Sequence, residues 1–168
     1  EMLEAGVAGL PNVVVDPRET LREGRSYTVL TLTELRAELG HHSLCMIIGM
    51  DACLGLSRWH RWTELIELAH IVVAHRPGWQ PPREGVLGGF IEAHLVESPT
   101  ELHSKPAGHV FMHEVTQLEI SSSAIRRQFA RRESPRYLMP DAALQIALTT
   151  HCYAKTKPDY QEIVVDAE

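Results

Sequence analysis

Leu44-Cys45-Met46-Ile47-Ile48-Gly49-Met50 is an unbroken apolar stretch that reaches a glycine and is followed at once by Asp51. Such a run fits a strand covered on both faces, as in a parallel sheet, rather than the alternation of a half-solvated strand. Downstream, Trp62, Leu65, Ile66 and Ala69 recur at i, i+3, i+4 and i+7, the spacing of an amphipathic helix. Ile71 to Ala74 read as another short buried strand, stopped by Arg76-Pro77-Gly78. Strand, helix, strand in that order implies a right-handed crossover between parallel neighbours.

The rest of the chain extends the pattern. Glu1 to Leu10 reads as the end of a helix carrying Leu3, Val7 and Leu10, and the three valines between Asn12 and Asp16 as a short buried strand. Ser26 is expected to cap a helix running to Leu39, with Leu32, Leu35 and Leu39 on one face and Gly40 as its stop. Trp79 to Gly89, with two prolines and three glycines, reads as a loop, followed by a helix over Phe90 to Val96 and a strand over Val110 to Met112. Ser122 to Arg132 and Asp141 to Thr150 form a final helical pair, the second preceded by Pro140. Strands alternating with helices predict an α/β fold with a doubly wound parallel sheet.

With 168 residues the chain suits one domain with a real core. Lys and Arg number 16 against 22 Asp and Glu, a formal charge of −6, which disfavours broad binding to nucleic acid or an acidic membrane. No apolar run approaches the ~18 residues that span a bilayer. The opening Glu1-Met2-Leu3-Glu4 does not resemble a signal peptide. Three cysteines, Cys45, Cys53 and Cys152, without C-x-x-C spacing point to a reducing compartment, so a cytoplasmic location is expected.

Ligands of open parallel sheets bind beyond the carboxyl ends of the strands. Three features are expected there: Gly49 with Asp51, the His75–Gly78 segment, and the serine run that follows the Val110 strand. Gly49 lets the backbone approach a flat ring, and Asp51 can accept hydrogen bonds from a ribose. Ile120-Ser121-Ser122-Ser123-Ala124-Ile125-Arg126 reads as a helix start whose amides face an anion, with Arg126 in the first turn adding a planar charged fork. The bland alternative is an ordinary serine cap on a surface helix. Trp59 and His60 offer one wall of a slot for a planar ligand, whereas Trp62 belongs to the buried helix face. The ten histidines do not form a metal site, since no H-E-x-x-H or Cys/His quartet occurs and His70 and His75 fall on opposite faces of a strand. The serines lack the G-x-S-x-G elbow, and no cysteine sits in a nucleophile motif.

In order, Ser26-Tyr27-Thr28, Ile48-Gly49-Met50-Asp51, Trp59, Arg76-Pro77-Gly78, the Ile-Ser-Ser-Ser-x-Ile-Arg run, Leu138-x-Pro140 and His151-Cys152-Tyr153 resemble bacterial nicotinate-nucleotide adenylyltransferases. These belong to the nucleotidyltransferase superfamily, and the resemblance covers about Glu1 to Tyr153. It implies a Rossmann-like fold and transfer of the adenylyl group of ATP to nicotinate mononucleotide, giving nicotinate adenine dinucleotide and pyrophosphate in NAD biosynthesis. It further implies that Thr28, with the backbone near Trp59 and His60, reads the nicotinate carboxylate while Trp59 stacks on the pyridine. Gly49 and Asp51 would hold the adenosine, and Ser122, Ser123 and Arg126 the ATP phosphates, with Mg²⁺ accompanying ATP. His60 stands where the family more often has Tyr, and Ser123 where it usually has Thr.

One departure is larger. The family's glycine-rich turn G-G-(S/T)-F-D-P-x-H-x-G-H, whose histidines stabilise the reacting phosphate, has no counterpart here, so the catalytic residues are unknown. The chain is therefore expected to be a partial Rossmann-like nucleotidyltransferase domain over residues 1–154, lacking its first strand–helix unit and inactive alone. Residues 155–168, including Ile163-Val164-Val165, read as a tail or linker. The expected partners are ATP and nicotinate mononucleotide, with neither nucleic acid nor membrane, and a homo-oligomer is left open. Two alternatives remain: a related nucleotidyltransferase with another acceptor, and a nucleotide-binding module without catalysis.

Overall fold

The computed structural model describes residues 1–116 and 120–153. The expected tail at 155–168 lies outside the described residues. The chain divides into two compact units, residues 17–117 and residues 1–16 with 118–168. Among the described residues, no helix is long and apolar enough to cross a membrane.

The larger unit is a parallel four-stranded sheet with flanking helices. Its strands are β1 (Cys45–Gly49), β2 (His70–His75), β3 (Leu95–Val96) and β4 (Val110–Glu114), in spatial order β1-β2-β4-β3. Ile48 lies beside Val73, and Ile71 and Val73 lie beside Val110 and Met112. These side chains share one face, as period-two alternation requires. Against that face pack α3 (Thr28–Leu39) through Val29 and Leu32, α4 (Met50–Leu54) through Met50 and Cys53, α5 (Leu65–Leu68) through Leu65 and Ile66, and α6 (Gly85–His94) through Ile91. A short helix α2 (Arg18–Leu21) precedes them, and its Arg18 forms a bidentate pair with Glu38.

The apolar stretch around Ile48 does form a strand, but it is not covered on both faces. Ile48 is 9% exposed and Ile47 is 73% exposed. β1 lies at the edge of the described sheet and its outer side chains meet no packed layer. The buried segment beginning at Trp62 is helical as expected, although it opens as a 3₁₀ turn over Trp62–Glu64 before α5.

Three other expectations fail. Gly85 to Gly89 belong to helix α6 rather than to a loop, and the helix ends at His94. A Cβ on Gly88 would lie 2.5 Å from the carbonyl carbon of Arg83, so this glycine permits a close backbone approach. Val13 and Val14 are exposed and unpaired in any strand, because β-branched residues form one only where another strand supplies a ladder. Ser26 does not cap α3; the N-cap is Tyr27, and the Ser26 hydroxyl accepts from Arg22 Nη1 at 3.1 Å. Gly40 does end the helix, at φ 56°, with its N–H donating to the Arg36 carbonyl.

The strand beginnings are locked by two side chains. Arg36 donates from Nε and Nη2 to the Leu68 carbonyl (2.9 and 2.7 Å), from Nη2 to that of Pro106 (2.7 Å), and from Nη1 to those of Gly40 and His42 (2.9 and 2.7 Å). His70, fully buried, donates from Nε2 to the Lys105 carbonyl at 2.9 Å and accepts at Nδ1 from the His109 backbone N–H at 3.1 Å. A carbonyl only accepts and an amide only donates, so these partners fix the ring's tautomer. The loop they hold also receives the Leu44 N–H at Pro106, while the His109 carbonyl receives the Ile71 N–H.

In the smaller unit, α1 (Met2–Val7) lies against α8 (Asp141–Thr150), and α7 (Ser122–Ala130) adds Phe129 to a cluster with Leu144 and Ala147. A Cβ on Gly6 would sit 3.6 Å from Pro140 Cγ. These helices agree with the expected ones, and Pro140 occupies the N-cap of α8.

Replacing Arg36 by Lys keeps the charge but removes the fork that reaches several carbonyls together. The expected loss is about 2–3 kcal/mol, measured as a shift in urea midpoint, because the half-buried Leu68 and Pro106 carbonyls lose charge-assisted partners; a midpoint equal to wild type contradicts the lock. A second expectation concerns pH. Desolvation, with Lys105 and His70 nearby, holds His109 below the ordinary imidazole range. A base depressed in the folded state is protonated first in the unfolded chain. Its stabilisation is therefore full above the unfolded value, ~6.5, and is lost as pH falls through the lower folded value. His109→Gln should show a shallower loss of urea stability between about pH 7.5 and pH 5; parallel curves for the two proteins refute it.

Candidate functional site

The carboxyl ends of β1 and β2 open on a cleft of about 310 Å³ lined by Gly49, Met50, Asp51, Arg76 and Trp79. This is where a parallel sheet presents its strand-to-helix turns. Gly49 is extended, at φ −76°, and a Cβ there would meet nothing within 4 Å. Its lack of a side chain leaves room in the cleft rather than relieving backbone strain. Met50 is buried beneath, while Asp51 stands exposed in the first turn of α4.

Arg76 and Trp79 are joined by a tight turn. Pro77 and Gly78 occupy its centre, Gly78 has φ 79°, and the Trp79 N–H reaches the Arg76 carbonyl at 3.3 Å. Proline first and a positive-φ glycine second are what a type II turn requires. The turn returns the chain so that a guanidinium and an indole line the same cleft. Sequence reasoning placed the His75–Gly78 segment at the strand ends but left Trp79 in the loop; the aromatic residue directly after the Pro-Gly turn was the available signal.

A second group gathers at the start of α3. The rings of Tyr27 and His60 meet with centroids 4.3 Å apart, tilted by 30°. Tyr27 caps the helix and Thr28 is its first residue, so this contact ties Thr28 to the Trp59–His60 segment. Trp59 is half-buried and packed against the core, and His60 is exposed. Arg61, at φ 52°, pairs with Glu64, and that pairing lowers the Glu64 carboxyl below its ordinary range. Trp62 meets Phe90 edge-on at 4.9 Å, as a core residue does.

In the smaller unit, the N-cap of α7 is Ser121, whose Oγ accepts from the Ala124 N–H at 3.1 Å. Ser122 and Ser123 are its first two residues, both exposed. Arg126 lies four residues beyond Ser122, just past the first turn and not within it, because the helix begins after the cap. Positions i and i+4 share a face, and helical side chains lean back toward the N-terminus. The Arg126 guanidinium lies 5.9 Å from the centroid of the Tyr153 ring.

Among the described residues, no group of three or more His, Cys, Asp or Glu could hold a metal ion. Cys53 is buried, and burial pushes its thiol up, away from the reactive thiolate.

The cytidylyltransferase-like family matches residues 1–128. A protein of Halorhodospira halophila, "Probable nicotinate-nucleotide adenylyltransferase", is 46% identical over 145 residues, covering 86% of this chain and 66% of its own length. Proteins with the same name in Hahella chejuensis and Methylococcus capsulatus are 45% and 43% identical, covering 84% and 92% of this chain and 65% and 74% of their own lengths. The chain thus spans slightly less than two thirds of the first two relatives. The solved "Plasmodium falciparum nicotinic acid mononucleotide adenylyltransferase complexed with NaAD" shares the fold, with a TM-score of 0.52 at 10% identity, over 78% of this chain and 58% of that one. Together, the parallel sheet, the cleft at its strand ends and these matches place the chain in the cytidylyltransferase-like family of nucleotidyltransferases.

Proposed function

We propose that this chain carries the nucleotide-binding part of a nicotinate-nucleotide adenylyltransferase, an enzyme that moves the adenylyl group of ATP onto nicotinate mononucleotide and releases pyrophosphate. The observation that carries the reading is the cleft in which Gly49 leaves space, Asp51 offers a ribose acceptor, and Arg76 and Trp79 supply a cation and a flat apolar face. The relatives' shared name supplies the reaction.

In this reading Gly49 and Asp51 hold the adenosine. Thr28, first residue of a twelve-residue helix, meets the nicotinate carboxylate with its hydroxyl and the helix's positive end. Trp59 stacks on the pyridine, and His60, held against Tyr27, stiffens that segment. Ser122, Ser123 and Arg126 fall to the ATP phosphates by their motif.

The mononucleotide phosphate is itself the nucleophile, so the chain needs no activated serine or cysteine. Mg²⁺ neutralises phosphate charge when bound with ATP; it commonly uses one or two carboxylates with phosphates and water, and Asp51 would supply one from the cleft lining. The chain's own residues serve to position and to neutralise charge. A cytoplasmic enzyme is proposed.

Gly49→Val tests the cleft. The site has room and an ordinary φ, so stability should stay within about 0.5 kcal/mol while titration calorimetry shows at least tenfold weaker ATP binding; unchanged affinity removes the adenosine from this cleft. Thr28→Val tests the acceptor. Its preference for nicotinate over nicotinamide mononucleotide should fall by about tenfold, near 1.4 kcal/mol, as one hydrogen bond to a charged group is lost. ATP binding with no binding of either pyridine nucleotide would point to another acceptor.

A further inference from the structure

Tyr153 closes the His151-Cys152-Tyr153 run. It follows α8, which ends with His151 in the left-handed region at φ 51°. Its ring stacks on Phe129 of α7, centroids 5.1 Å apart and planes 28° apart, and Phe129 is only 4% exposed. Phe129 anchors the smaller cluster, so this face of the Tyr153 ring is fixed by packing. The Arg126 guanidinium also lies over the ring, 5.9 Å from its centroid. That distance is within the range where a ring's quadrupole attracts a cation.

Arg126 is exposed and forms none of the described salt bridges. A long side chain in that setting samples many rotamers, and ordering it on a ligand costs entropy. A ring presented by α8's end and pinned by Phe129 narrows that freedom before a ligand arrives, and its π face takes up none of the N–H donors as a carboxylate would. A cation held by a carboxylate would have part of its charge spent; one held by a π face keeps its charge for an anion.

We infer that Tyr153 is a positioning residue: its ring holds the Arg126 guanidinium ready for a polyphosphate. This inference rests on the assignment of Arg126 to the ATP phosphates, and the experiment separates the two. ATP and adenosine affinities are measured by titration calorimetry for wild type, Arg126→Ala, Tyr153→Phe, Tyr153→Leu and the Arg126→Ala/Tyr153→Leu pair, with folding monitored by circular dichroism. A further variant carries 3,4,5-trifluorophenylalanine at 153, which keeps the ring's shape and weakens its quadrupole.

Tyr153→Phe should bind ATP as wild type does. Tyr153→Leu and the fluorinated ring should each weaken ATP about two- to fivefold, leave adenosine unchanged, and add nothing once Arg126 is alanine. If Arg126→Ala leaves ATP affinity intact, the phosphate assignment fails. If Arg126→Ala weakens ATP but the fluorinated ring does not, the assignment stands and the role given to Tyr153 is wrong. Equal losses for ATP and adenosine in Tyr153→Leu also overturn it, since they indicate a purely structural residue.

Discussion

Arg36 and His70 bind backbone groups of Gly40, His42, Leu68, Lys105, Pro106 and His109, all near the points where β1, β2 and β4 begin. The parallel sheet needs this. Parallel strands cannot be joined by a tight hairpin, so nothing local to a turn sets their register. Here a guanidinium satisfies carbonyls from three stretches of chain, and an imidazole with a fixed tautomer joins β2 to the loop before β4. Once Cys45 is beside His70 and Ile71 beside Val110, every later pair follows.

That arrangement separates the polar lock from the cleft along one axis. The polar lock sits where strands start, the apolar layer of Ile48, Ile71, Val73, Leu65 and Val110 lies between, and the cleft opens where strands end. Asp51, Arg76 and Trp79 therefore line the cleft without weakening the core. Their positions are still exact consequences of register, since Gly49 and Ala74 are paired at the last step of the β1–β2 ladder.

The smaller unit uses simpler means. α7 has a serine cap whose oxygen takes one of the amides, and its apolar residues Ile125 and Phe129 face α8. Serines at its opening remain exposed, and the Arg126 guanidinium lies over the Tyr153 ring.

Much of this was legible in the chain. Periodicity identified α3 and α5, the serine run and Pro140 marked the starts of α7 and α8, the continuous apolar runs identified β1 and β2, and the Pro-Gly pair marked the turn after β2. These signals are local, since each depends on residues within one or two turns of one another. What failed depended on backbone packing and strand pairing, which a linear pattern does not carry. Gly88 reads as a loop residue until Arg83 is found where its Cβ would be, and three valines read as a strand until no ladder reaches them. Ile47 reads as buried until β1 proves to have an unpacked face. The cleft partners Arg76 and Trp79, the union of Tyr27 with His60, and the binding of Arg36 and His70 to remote carbonyls and an amide likewise arise only after folding. The sequence by itself determined most of the helical and extended segments and the order of the motifs along the chain. Tertiary structure alone decided which of those groups meet, because hydrogen bonds and ring contacts across dozens of residues depend on the register of parallel strands and not on local pattern.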